Sequence, residues 1–352
     1  MELEGGGQGS VDPCPLSQSP SPLKRFSMTV MAETALPLIT IGFSSHRLEA
    51  LPIAMEEMSG HEAIVLEEPP EPNFQDVLEG KISTADYLVD KDVWFPEFSI
   101  QQLEMVKGLY ARGKAILQVE PYQERLIQIH ESLAAGQSRA EVENRPELQD
   151  VYAAEHATSR NLLTFYAAAH TAPFSGVVAA VKGFARADAV RFRLRDHLRA
   201  EALAPLAQQF SRLYVEAGYI HLFLLKVLAR FIAGKAHLKL KFVLAARSLA
   251  ALGKPRPMGP GDLLTLHYIF RSPLPPEKED LLAARSLIHI KLLNKSEMAP
   301  GADPTPHLTD EIRAVRLSSR LSFDDCATLY PQVLKAPPEK AVAVVAHYLA
   351  EK

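Results

Sequence analysis

The sequence predicts an α/β fold: a mostly parallel central sheet flanked by helices, with a large helical insert and a helical C-terminal extension. Three observations carry this expectation. Short apolar, β-branched runs alternate with helix-periodic segments over residues 38–119. Residues 122–210 show little strand character. From Pro255 to Pro306 nine prolines punctuate the chain, which then closes on a helical pattern.

Leu38 to Gly42 (LITIG) is apolar and β-branched and reads as a buried strand, followed by the polar turn Ser44-Ser45-His46. Leu48, Leu51, Met55 and Met58 then share one side of a helix, with Gly60 at the C-cap glycine position. Ala63 to Leu66 (AIVL) is the second strand, ending at Glu67-Glu68 and stopped by Pro69-Pro70. Ser99 is expected to cap a helix carrying Leu103, Val106, Leu109 and Tyr110. Ala115 to Val119 is the third strand, ending at Glu120-Pro121. Strands alternating with helices imply right-handed parallel crossovers.

Helices are expected at about 122–135, 147–170, 174–184 and 188–209. Leu213 to Ala217 (LYVEA) reads as a further strand, followed by Gly218-Tyr219-Ile220-His221. Residues 222–233 are apolar nearly all round, as a buried helix is, and 236–252 reads as another helix. Loops are expected around one helix at about 277–294, with a final helix at about 339–350. The expected organisation is an α/β domain at 37–255, with its helical insert at about 122–187, and an extension at 256–352. The extension either packs on the core or forms a contact in a homo-oligomer; the sequence leaves both open.

Composition narrows the function classes. The 352 residues carry 38 Lys+Arg against 42 Asp+Glu, a net charge of −4, which argues against a dedicated nucleic-acid binder. The longest apolar stretch, Tyr219 to Gly234, is broken by His221, Lys226 and Arg230 and is shorter than the ~20 residues of a membrane span, so none is expected. Cys14 and Cys326 lie too far apart for a disulfide framework or a cysteine-based zinc site, and a reducing, cytoplasmic setting is expected. Residues 1–36, rich in Gly, Ser and Pro, are expected to form a disordered tail.

Ligands of an open parallel sheet bind beyond the carboxyl ends of its strands. His46 follows the first strand, Glu67 and Glu68 end the second, Glu120 ends the third and His221 follows the later one. Imidazole and carboxylate together suit a divalent transition metal, and they equally serve as general acid and base without one. On a helix, Arg191, Arg195 and Arg199 share a face, with Asp196 beside them. Turned toward the sheet, Arg195 binds an anion or stabilises an oxyanion; turned away, the face is simply solvated. No P-loop, G-x-G-x-x-G, H-E-x-x-H or G-x-S-x-G motif is present, which removes the commonest nucleotide, zinc-protease and α/β-hydrolase readings.

The ordered set is a strand then GFSSH, a strand then LEE, a helical RLRD, and a strand then EAGYIH. It resembles the superfamily joining the TIKI proteases, TraB/PrgY-type proteins, erythromycin esterases and ChaN-like haem-uptake proteins. The resemblance covers about residues 38–70 and 189–225 and implies His46, Glu67, Arg195 with Asp196, and His221 as the matching site residues. Glu67 fits the family glutamate better than Glu68 because it directly follows the apolar strand. The three residues between Gly42 and His46 look more like the esterase branch than the TIKI branch. The chain after about residue 255 has no counterpart in the resemblance.

Two classes of function follow. The first is a hydrolase of an ester, lactone or peptide bond in a small-molecule or peptide substrate. In its metal-dependent version His46, Glu67 and His221 hold Mn, Co, Fe or Zn, and Glu68 or Glu120 takes the proton of a bound water. In its metal-free version His46 activates water, Glu67 orients it and Arg195 stabilises negative charge. The second class is a non-catalytic protein whose cleft binds a small ligand, a haem or a peptide signal.

Overall fold

The computed structural model describes residues 36–89, 91 and 93–352. The disordered tail expected over 1–36 falls, except for Leu36, outside the described residues.

Five strands, β1 (Leu38–Ser44), β2 (Ala63–Leu66), β3 (Ala115–Gln118), β4 (Arg212–Gly218) and β5 (His237–Phe242), form one sheet in the order β3-β2-β4-β1-β5. Every neighbouring pair is parallel. The architecture is therefore α/β, as the alternation of apolar runs and helical segments implies. Because β4 lies between β1 and β2, the carboxyl ends of those three strands stand side by side. The residues that leave them are His46, Glu67 and His221.

The helices follow in chain order: α1 (Leu51–Ser59), α2 (Phe74–Leu78), α3 (Thr84–Leu88), α4 (Pro96–Ala111), α5 (Pro121–Ala134), α6 (Arg139–Glu143), α7 (Gln149–Thr171) and α8 (Phe174–Leu203). After β4 come α9 (Leu222–Phe231), α10 (Ala245–Leu252), α11 (Pro260–Phe270), α12 (Pro276–Leu292), α13 (Pro306–Ser319), α14 (Phe323–Val333) and α15 (Pro338–Glu351). Among them, no helix is long and apolar enough to cross a membrane.

Strand alternation sorts the core into two layers. Ile64, Leu66 and Tyr214 pack with α1, α2 and α4 and with Leu308 and Ile312 of α13. Ile39, Ile41, Phe43, Ala63, Val65, Leu213 and Val215 face the other way, toward α8, α9 and α11. The extension thus packs on the core, and residues 36–352 form one unit.

Several elements differ from the sequence expectation, each for a local reason. Residues 237–242 (HLKLKF) form β5 rather than the start of a helix; apolar and polar residues alternate there with period two, and the two lysines suit an edge strand. The helix expected from Ser99 begins at Pro96, whose fixed φ suits the first helical position. The break expected at 185–187 is absent, and the helix expected to run to 209 ends at Leu203. The extension holds five helices, not two, because Pro260, Pro276, Pro306 and Pro338 each open a helix instead of breaking one.

Gly42 of the GFSSH segment is required by packing. A Cβ there would run into the Tyr214 hydroxyl and ring. Tyr214 is itself buried on β4, with His61 edge-on at 5.6 Å. Gly42→Ala is expected to destabilise the fold by about 1–3 kcal/mol, the usual cost of overpacking a filled core. Urea denaturation measures this, and an unchanged midpoint would show that Tyr214 can move aside at no cost.

Candidate functional site

The site is built around Glu67. It leaves β2 on the same side as Ala63 and Val65, so strand alternation aims it at α8 and α9. Glu68, one residue on, points the other way, and its carboxylate accepts a 2.9 Å hydrogen bond from Gln118 Nε2. Glu68 therefore lies outside the hydrogen bonds of the Glu67 cluster, on the Glu216 side, where its charge helps raise the Glu216 pKa.

Both Glu67 oxygens are engaged. Oε1 accepts from Arg195 Nη2 at 2.9 Å and faces His221 Nε2 at 3.0 Å. Oε2 accepts the backbone N–H of Gly218 at 2.6 Å. Burial alone would raise the Glu67 pKa, but the His221 and Arg195 charges outweigh it and hold the carboxylate well below its ordinary range.

His221 sits at the N-cap position of α9 with its ring buried between two carboxylates. Its Nδ1 donates to Asp196 Oδ1, whose other oxygen accepts the Leu224 backbone N–H at 2.9 Å. Burial disfavours the imidazolium, yet Glu67 and Asp196 push its pKa up to about 9. The ring is therefore charged at neutral pH and donates from both nitrogens.

Helix α8 supplies the rest. Arg195 reaches Glu120 Oε2 at 3.1 Å as well as Glu67, while its Nε is buried with no partner among the described residues. One turn on, the buried Arg199 donates from Nε to the Val119 carbonyl at 2.9 Å, with Nη1 3.8 Å from Glu67. Glu120 is fully buried at the N-cap position of α5. Arg195 and Arg199 are thus turned to the strand ends, while Arg191, partly exposed, pairs with Asp188 at 2.6 Å and faces Glu155 of α7 at 3.6 Å.

His46 stands at the edge of this network, its side chain about one-third exposed. Its φ of 52° puts a non-glycine residue in the left-handed region, a strained geometry found at functional turns. Its Nε2 is buried, 3.8 Å from Glu67 Oε2 and 3.7 Å from Glu216 Oε1, with no hydrogen-bond partner among the described residues. Phe98 covers one side of the ring at 6.0 Å.

The structure thus brings together His46, Glu67, Glu120, Arg195, Asp196 and His221, which the chain keeps as much as 175 residues apart, from position 46 to position 221. It adds Arg199, Glu216 and Gln102. Glu216 accepts from Gln102 Nε2 at 2.7 Å and from the Glu67 backbone N–H at 3.4 Å. Burial raises its pKa, against the opposing effect of His46. An acid inside the apolar run LYVEA was its signal in the sequence. Gln102, on an ordinary amphipathic helix, gave none.

The proposed metal ligands can be checked against this geometry. His221 has no free nitrogen, and the oxygens of Glu67 are taken by two side chains and a backbone amide. That leaves His46 as the one member of the trio with a ring nitrogen uncommitted among the described residues.

Two outcomes are expected. Arg195→Ala, which strands buried Glu67 and Glu120, should cost about 3–5 kcal/mol in urea unfolding. The charged cluster also sets a pH dependence. His221 has a folded pKa above its unfolded value near 6.5, so its contribution is full below about pH 6.5 and is lost as pH rises through about 9. Stability should therefore fall between pH 6.5 and 9 by on the order of 2–3 kcal/mol, and His221→Gln should flatten that slope. A slope unchanged in the variant would assign it to other groups.

No family model matches the chain, and no solved structure matches it. A protein of Archaeoglobus fulgidus, described only as uncharacterised, is 32% identical over 291 residues, spanning 82% of this chain and 96% of the relative. That identity, held over nearly the whole of the archaeal protein, places this chain in the same family.

Proposed function

We propose that the cluster is the active site of a metal-free hydrolase acting on an ester, lactone or peptide bond. The observation that carries the reading is the contrast between His46 and everything behind it. Glu67, Arg195, Asp196 and His221 are locked in mutual ion pairs and hydrogen bonds, whereas the His46 ring, about one-third exposed, turns a buried Nε2 without a hydrogen-bond partner among the described residues toward two carboxyl groups. A general base needs a free lone pair within reach of a water, and His46 alone among the matching residues offers one.

In this mechanism a water against His46 attacks the carbonyl carbon and gives its proton to Nε2. Glu67 Oε2 and Glu216 Oε1 lie near enough to orient that water. The unpartnered Nε–H of Arg195 is the donor available to the oxyanion. Collapse breaks the bond to the leaving group, which takes the proton back from His46. The buried ion pairs hold the charges in place before substrate arrives, so little reorganisation accompanies the reaction. The resemblance to the erythromycin-esterase branch points the same way.

His46→Ala should lower turnover of a p-nitrophenyl ester, a lactone or a peptide anilide by about 10²–10⁴-fold with folding intact by circular dichroism. Chelator treatment should leave wild-type turnover unchanged. Full activity in the variant would remove His46 as base. A visible absorption band from co-purifying haem, with no turnover, would favour the ligand-binding reading instead.

A further inference from the structure

The C-terminal extension meets the His46 side of the site through two matching contacts. Glu49, three residues after His46, lies buried in the 3₁₀ turn Leu48–Ala50. Its carboxylate accepts the backbone N–H groups of His307 at 3.0 Å and Leu308 at 2.7 Å, at the start of α13. In the reverse direction, Glu297 of the extension accepts the N–H groups of Glu97 at 3.0 Å and Phe98 at 2.7 Å, at the start of α4.

Both helices begin alike. Each has proline at its first position, which has no N–H, and neither N-cap residue, Phe95 or Thr305, caps with its side chain. The next two N–H groups of each helix would be left without partners, and a carboxylate from across the seam takes both. Each acid also sits at the positive end of a helix dipole. The two contacts are joined: Phe95 packs edge-on to His307 at 6.3 Å and carries the Arg47 guanidinium at 3.8 Å.

These contacts bracket His46. Glu49 and Arg47 belong to its own turn, whose strained backbone needs outside support. Helix α4 carries Phe98, which packs on the His46 ring, and Gln102, which holds Glu216 opposite Nε2. A shift of either helix start would move the ring or the carboxyl group facing it.

We propose that Glu49 and Glu297 are positioning residues, and that the extension is part of the catalytic apparatus, fixing His46 from both sides. The proposal rests on His46 being the base.

The test compares Glu49→Gln and Glu297→Gln with wild type. Glutamine keeps the volume but turns an N–H donor toward a helix N–H. The readouts are hydrolysis of p-nitrophenyl acetate and the ring ¹⁵N resonances of His46, assigned by their loss in His46→Ala. Asp325→Asn, which removes a capping contact at the start of α14, controls for general weakening of the extension.

Each glutamine variant should lower kcat at least tenfold, leave KM within twofold and shift the His46 resonances. Asp325→Asn should lower the melting temperature and change neither kcat nor the resonances. Should a glutamine variant not fold, Glu49→Asp or Glu297→Asp, which keeps the charge but draws the carboxylate back from the helix start, carries the same test. Wild-type kcat with unshifted resonances overturns the positioning role and leaves the hydrolase reading standing. An equal loss in Asp325→Asn overturns it too, since mere weakening would then suffice. A wild type without turnover overturns the hydrolase reading, and the resonances alone then decide whether the two glutamates fix His46.

Discussion

A carboxylate withdrawn from water must be given hydrogen bonds and opposite charge, or it will not stay ionised. Glu67 is in that position, and most of the site follows from supplying its needs. Arg195 arrives from α8, His221 from the start of α9 and an amide N–H from Gly218 at the end of β4. Each donor brings a partner of its own: Glu120 for Arg195, Asp196 for His221. The outcome is a buried set of paired charges with one partly exposed imidazole, His46, at its edge.

Helix α8 gathers these partners because it packs against the sheet and brings Arg195, Asp196 and Arg199 to the strand ends. Arg191, Arg195 and Arg199 recur every fourth residue, and each meets a carboxylate: Glu155 for the first, Glu67 and Glu120 for the others. Asp196, next to Arg195, turns to His221 and at the same time caps α9. Helix α8 thus sets the charge of His221, the ionisation of Glu67 and the start of the following helix. Such coupling makes single substitutions here costly, since each one leaves a buried charge uncompensated.

The two sides of the sheet contribute differently. The α8 side is charged and locked. The α4 side reaches the same strand ends with Phe98, Gln102 and Glu216, whose carboxyl group is held toward its neutral form by burial. His46 lies where the two meet. The extension stabilises that junction by exchanging helix-capping carboxylates with the core, so a segment outside the familiar motifs bears directly on the site's geometry.

Much of the fold was legible in the chain. The runs LITIG, AIVL, AILQV and LYVEA became strands because β-branched, apolar segments bounded by turns have few other ways to be buried. The strand-end acids and histidines were visible for the same reason, and alternation within a strand separates Glu67 from Glu68. The strand HLKLKF was harder, since an edge strand buries little and its lysines weaken the apolar signal. The extension was harder still, because a proline opens a helix or ends one depending on the turn before it. Which acid meets which helix start, and whether the arginine face meets water or carboxylates, depend on contacts between elements far apart in the chain. Only the tertiary structure decided those. Local sequence sets backbone preference and burial, but the partners of a buried charge are chosen by the packing that excludes water from it.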